Sequence, residues 1–249
     1  MKLRALLFAA LVIAGVALCV RLGFWQLSRW HFKRALNARL VEAEHAPPLR
    51  ARRAPPFAQV RGRYLELPGS YDERHQIVIG GHLHQDVPGI EVITPLVLED
   101  GSAVLVNRGW VPVAVAGPVS LAPYDEPGPQ RVVGYPESLL TGRRGPPLAV
   151  RTTATGTVYW SRELDLDTLA ARLPYGLAPY VLRQAPGPGV PARPLRSRPE
   201  PWDEGMHLGY AIQWFSIALI VLVGSIWLAW ARRRSSARTP ISPPPAPPA

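Results

Sequence analysis

The chain of 249 residues is 47% hydrophobic and carries a formal net charge of +10 at pH 7. That charge is almost all arginine, with lysine only at Lys2 and Lys33. It is scattered among Ala, Pro and Gly, not clustered on one element with interleaved aromatics, which argues against a nucleic-acid surface. The single cysteine, Cys19, lies inside an apolar run, so neither an intrachain disulfide nor a thiolate pair for copper or zinc can form.

Hydrophobic residues concentrate in two terminal runs and leave a polar middle of about 180 residues, enough for one domain with its own core. In the first run, Lys2 and Arg4 precede apolar residues from Ala5 to Val20, the outline of a signal peptide. No small-x-small site closes the run, and Leu18 before Cys19 spoils a lipoprotein cleavage box. The apolar character also resumes after Arg21 as LGFWQL. An uncleaved membrane helix is therefore expected over residues 1–27, with Arg21 near its outer turn. Trp25 and Trp30 stand where interfacial aromatics belong. Residues 28–56 are expected as a helical continuation, through Arg29, Lys33 and Arg34, followed by a Pro- and Arg-rich connector.

The middle, residues 57–201, consists of short alternating segments separated by turn residues. Strands are expected at Ala58 to Leu65, Gln76 to Gly80, Val92 to Leu98, Ala103 to Val111, Gln130 to Tyr135, Thr157 to Trp160 and Tyr180 to Arg183. Asp165 or Asp167 can cap one short helix running to Leu173, where Pro174 ends it. The pattern predicts a mainly antiparallel, barrel-like β domain with a short helix, tethered at both ends.

The second run, His207 to Trp230, carries no charged residue after its opening histidine, and at about 1.5 Å per residue it crosses a hydrocarbon core of roughly 30 Å. A helix is expected over residues 203–231, capped by Asp203, with a Pro-rich, disordered cytoplasmic tail over 232–249. Its polar groups lie at one end: His207, Tyr210, Gln213 and Trp214, of which His207, Tyr210 and Trp214 share one face. Small Ala211 on that face leaves room for a flat ligand. Arg21 lies about 7 Å inward of Gln26, and Gln213 about 9 Å inward of His207, so the two spans are expected to pack with Arg21 facing Gln213 and with Gly23 and Gly209 allowing close approach. Two spans put both termini on one side. Local charges divide on which side, and long domains are translocated with little regard to charge, which favours the middle domain outside.

Three stretches in order, LGFWQLSRWHFK at 22–33, VNRGWVP at 106–112 and HLGYAIQWF at 207–215, resemble the surfeit locus protein 1 family. A G-x-Y at Gly62 to Tyr64 and a Pro-x-x-Leu at Pro179 to Leu182 extend the resemblance over residues 1 to 232. It implies two membrane spans enclosing one domain outside the cytoplasm, in a bacterial-type plasma membrane, and a role in assembling haem-copper cytochrome c oxidase. It further implies binding of haem a, with His207 as a ligand to the haem iron, and delivery to the oxidase catalytic subunit, with haem a synthase as a further partner. Tyr210, Gln213 and Trp214 would line the macrocycle. Arg108 and Arg29 are the cations available to the propionates. Two alternatives stay open: His207 is a wet imidazole at the helix start, and the protein is a membrane scaffold for an early oxidase intermediate that never touches haem.

Other residues weigh less. His82 and His84 could share a strand face for a metal, but no third ligand stands at suitable spacing. Asn107, Arg108 and Trp110 are either a functional loop or a packed strand end. No nucleophile elbow, Gly-rich phosphate loop or paired-carboxylate motif is present, so an enzyme is not expected.

Overall fold

The structure, a computed structural model, describes residues 2–112, 120–139, 149–153 and 156–236. The expected tail lies outside the described residues from 237 onward, and its first five residues, 232–236, are instead the end of a helix that runs to Ser236. The chain divides into two compact units, one made of the stretches up to Asn37 and from Trp202 onward, the other of Ala38–Pro201.

The first unit holds α4 (Gly205–Ser236) and, up to Asn37, α1 (Lys2–His45), and both helices are long and apolar enough to cross a membrane. Their most apolar windows are 0% and 11% buried, so these are not the core helices of a soluble domain. On α1 the residues withdrawn from solvent include Val16, Cys19, Gly23, Gln26 and Trp30, spaced alternately by three and four. On α4, His207, Ala211, Trp214 and Ala218 repeat the pattern. This is the seam of a helix pair, along which a 3.5-residue repeat keeps one stripe facing the partner. Gly23 sits in it because a Cβ there would lie 2.7 Å from the Phe215 ring. Phe24 meets the same ring edge-on at 5.3 Å.

Arg21 and Gln213 are both exposed and off this seam, so the expected face-to-face pairing does not occur. Ala211 is only 2% exposed, which corrects a second expectation: its small size serves close helix packing and leaves no slot for a ligand. Gly209 has nothing within 4 Å of a would-be Cβ and takes no part in close approach.

In the second unit the strands are β1 (Leu49–Arg50), β2 (Leu65–Tyr71), β3 (His75–His84), β4 (Val87–Val97), β5 (Ala103–Pro112), β6 (Pro129–Ser138), β7 (Ala149–Thr153), β8 (Gly156–Ser161) and β9 (Leu177–Gln184). Two short helices, α2 (Phe57–Val60) and α3 (Leu166–Ala170), interrupt them. The sheet runs β1-β2-β6-β9-β5-β4-β3-β8-β7, and a further pairing of β2 with β4 closes five strands into a barrel. At that closure Gly69 is obligatory in size, because a Cβ would stand 2.6 Å from the Val97 carbonyl.

Alternation along the strands sends Leu65, Leu67, Val104, Val106, Tyr180 and Leu182 into one core. Ile77, Ile93, Leu105 and Val181 enter a second core, covered by α3 residues such as Leu169. Both faces of the central strands are buried, which explains their near-continuous apolar runs.

The expected strand over Ala58 to Leu65 is corrected: Phe57–Val60 is helical and the strand begins at Leu65. The strand expected over Gln76 to Gly80 extends to His84, where Gln85 and Asp86 adopt φ of 51° and 62° in a two-residue turn leading into β4. Neither residue is glycine, so the sequence lacked the Asn-Gly or Asp-Gly pair that marks such a hairpin turn.

Candidate functional site

Two polar clusters stand out, one in each unit. In the helical unit, Asp203 Oδ1 accepts the Gly205 N–H at 2.9 Å and caps α4 as expected. Asn37 of α1 then clamps the backbone of Trp202 in both directions, its Nδ2 donating to the carbonyl at 2.8 Å and its Oδ1 accepting the N–H at 2.8 Å. The same amide donates to Glu204 Oε1 at 2.6 Å, and Lys33 Nζ donates to the Asp203 carbonyl at 3.2 Å. Asn is a poor residue for a helix interior; its occurrence in α1 is the signal that sequence reading passed over.

In the first turn of α4, His207 is half-buried and its Nδ1 lies 2.7 Å from Gln26 Oε1 of α1. An amide oxygen only accepts, so Nδ1 carries the proton and donates. The other ring nitrogen, Nε2, has no hydrogen-bond partner among the described residues, and in the neutral ring it holds the lone pair. Trp214 is half-buried on the same face, while Tyr210, 46% exposed, flanks the seam. Gln213 points away from it. The structure thus brings His207 and Trp214 together on the seam with Tyr210 at its side, and leaves Gln213 outside. An imidazole with one nitrogen engaged and the other open, beside aromatic surface, has the donor chemistry of a haem-iron ligand. Trp25, half exposed, carries the Arg29 guanidinium 5.8 Å from its ring centroid, so Arg29 is an exposed cation on this unit.

The barrel unit accounts for Arg108 differently. Ile93 pairs with Asn107 and Val92 with Gly109, so Arg108 is the extra residue of a β-bulge in β5. Asn107 Oδ1 accepts the Gly109 N–H at 2.9 Å, and its Nδ2 donates to Glu91 at 3.0 Å. Gly109 holds φ of 113°, and a Cβ there would strike the Leu195 carbonyl. The bulge turns Arg108 wholly inward, to 0% exposure. There its Nη1 donates to Thr94 Oγ1 at 3.3 Å, and its Nη2 to the Tyr124 carbonyl and to Glu126 Oε1, the latter at 2.7 Å.

Arg196 donates to the same Glu126 oxygen, to Gln184 Oε1 at 3.0 Å and to the carbonyls of Pro191 and Pro194. The Tyr71 ring covers Arg108 with its centroid 4.8 Å from the guanidinium carbon. Burial pushes the Tyr71 hydroxyl well above the usual phenol range, against the opposing pull of Arg108. Burial likewise raises the Glu73 carboxyl, although the Glu126 N–H donates to it. The expectation that Arg108 meets propionates is therefore corrected: its guanidinium is enclosed, with both terminal nitrogens bonded within the protein and only Nε lacking a partner among the described residues. The VNRGWVP stretch is a mid-strand bulge, not a loop. Glu126 and Arg196, which complete this network, lie in Pro-rich connectors where sequence gave no reason to look.

His84 is exposed near the tip of the β3–β4 hairpin, its ring 5.2 Å from Trp110. Among the described residues no group of three or more His, Cys, Asp or Glu side chains could hold a metal ion.

These features define a class: a small closed β-barrel protein carrying two helices long and apolar enough to span a membrane. The SURF1 family model matches residues 13–219, and the chain belongs to that family, a family of oxidase assembly factors. It is 28% identical over 239 residues to a SURF1-like protein of Monosiga brevicollis, covering 90% of this chain and 87% of that one. With a SURF1-like protein of Caenorhabditis elegans it shares 26% identity over 150 residues, 60% of this chain and 41% of the relative.

Proposed function

We propose that this protein binds haem a through His207 and hands it to the catalytic subunit of a haem-copper cytochrome c oxidase. Family membership supports the assembly role. The observation that carries the haem reading is the state of His207, half-buried at the end of an apolar helix with Nδ1 engaged and Nε2 open. Haem a is the cargo. His207 fixes its iron, Trp214 and Tyr210 offer aromatic surface to the macrocycle, and the farnesyl tail enters lipid beside α4. Arg29 takes over the role of propionate partner that the interior position of Arg108 denies it.

The bilayer this reading implies is a bacterial-type plasma membrane, with both termini in the cytoplasm and the barrel outside it. Haem a synthase, as the source of the cargo, is the further partner. The chain acts as a carrier, with no bond-making step of its own.

Full-length protein purified in mild detergent from cells that make haem a tests this. The expected result is a haem spectrum with an axial histidine signature, lost in His207→Ala while the barrel retains its thermal transition. Clean apoprotein, or an unchanged spectrum in His207→Ala, overturns the haem reading and favours a scaffold that holds an oxidase intermediate without haem.

A further inference from the structure

We infer that Gln26 is the positioning residue of His207, setting which ring nitrogen is offered to a metal and where it points. This rests on the proposed role of His207 as a haem ligand. A neutral imidazole has one protonated and one lone-pair nitrogen, and an exposed side chain exchanges freely between the two tautomers. The partner at one nitrogen decides the choice. Gln26 Oε1, 2.7 Å from Nδ1, accepts a proton that only Nδ1 can then carry, and Nε2 is left as the ligand atom.

Three features make this more than a chance contact. Gln26 and His207 both lie on the stripe of withdrawn residues, so the contact is part of the helix seam. The register of that seam is held on both sides, by Phe215 against Gly23 and by Asn37 against Trp202. An amide on an apolar helix also needs a polar partner, and His207 supplies one. The ring is thus tethered at one end and restrained in rotation, the arrangement in which a carbonyl-type acceptor raises the basicity of a metal-bound histidine.

Nitrogen NMR of the full-length, metal-free protein in detergent micelles, with labelled histidine and His207→Ala to assign the signal, reads the tautomer directly. At a pH where the ring is neutral, wild type is expected to show the Nδ1–H form, and Gln26→Leu a mixture or the Nε2–H form. Loading with haem a is then expected to fall about 10- to 100-fold in affinity in Gln26→Leu. Gln26→Glu, which keeps an acceptor, is expected to restore affinity and to lower the reduction potential relative to wild type.

An Nε2–H wild-type ring overturns the inference. So does a Gln26→Leu protein with unchanged affinity and potential, and so does a Gln26→Glu protein that behaves like the leucine variant. If Gln26→Leu does not insert, the wild-type tautomer and the glutamate variant still decide. Failure of the haem reading looks different: wild type takes up no haem a, or His207→Ala takes it up undiminished, whatever the tautomer shows.

Discussion

Arg108 in the barrel and His207 in the helix pair are both polar side chains among apolar neighbours, yet they are treated in opposite ways. Arg108 is wholly enclosed, and four groups meet its terminal nitrogens and π face: Thr94, Tyr124, Glu126 and Tyr71. His207 is only half-buried, one nitrogen bonded and the other open. A buried charge without partners carries a penalty of several kcal/mol, so an interior arginine must be satisfied by its own protein. A neutral imidazole at the edge of an apolar segment can leave one lone pair open at small cost. The difference teaches where to look for function: Arg108, whose Nε alone lacks a partner among the described residues, is sealed inside the barrel beyond a ligand's reach, while the half-buried imidazole keeps an open nitrogen at the surface.

The largest effect that would test this contrast comes from Arg108→Leu, which leaves Glu126 and Arg196 paired but empties one side of the network. A loss of about 3 kcal/mol is expected, from the charged hydrogen bonds removed and the Tyr124 carbonyl and Thr94 hydroxyl left without them, read as a lowered thermal midpoint of the full-length protein in detergent. His207→Leu, which removes only the hydrogen bond to Gln26, should cost no more than about 1 kcal/mol in the same measurement. Equal destabilisation by the two would erase the distinction.

Next in size is Gly109→Ala, at about 1–3 kcal/mol for backbone strain alone, since φ of 113° and the Leu195 carbonyl both oppose a Cβ. Gly209→Ala, with open space around it, should stabilise α4 slightly. The same unfolding measurement compares them.

Within the helix pair, cysteines at Gln26 and His207 on a Cys19→Ala background should be bridged by a short thiol-reactive linker, while cysteines at Arg21 and Gln213 should not. Asn37→Ala removes the clamp on Trp202 and is expected to loosen the pair by about 1 kcal/mol. That corresponds to a roughly five-fold lower bridging yield between Gln26 and His207 positions under limiting conditions. Undiminished bridging would show that the seam needs no clamp.

The smallest effect at neutral pH belongs to Tyr180→Phe, because the buried hydroxyl has no hydrogen-bond partner among the described residues. Burial pushes its pKa up to about 12 from 10.0. With the folded value raised, the unfolded chain releases the proton first, so stability is full below about pH 10 and declines as pH rises toward 12. Tyr71, shifted in the same direction, adds to the alkaline loss. Tyr180→Phe should unfold less readily than wild type between pH 10 and 12, and equal alkaline sensitivity would assign the effect elsewhere.

Much of this protein follows from local sequence. Both membrane-length helices are legible because a run of uncharged residues has few other fates, and most barrel strands because β-branched runs bounded by Pro and Gly have few others. His207 was legible as a candidate for the same reason, as a polar residue opening an apolar helix. What tertiary structure alone decided is which polar residues find each other. Arg108 and Glu126 lie on separate elements, and only the bulge at Asn107–Gly109 turns the arginine inward to meet the carboxylate. Gln26 and His207 are 181 residues apart, and no local pattern can register a hydrogen bond between two helices whose relative rotation is set by where Gly23 admits Phe215. Hydrophobic periodicity reports the face an element buries, while the partner across that face depends on packing that the whole chain determines.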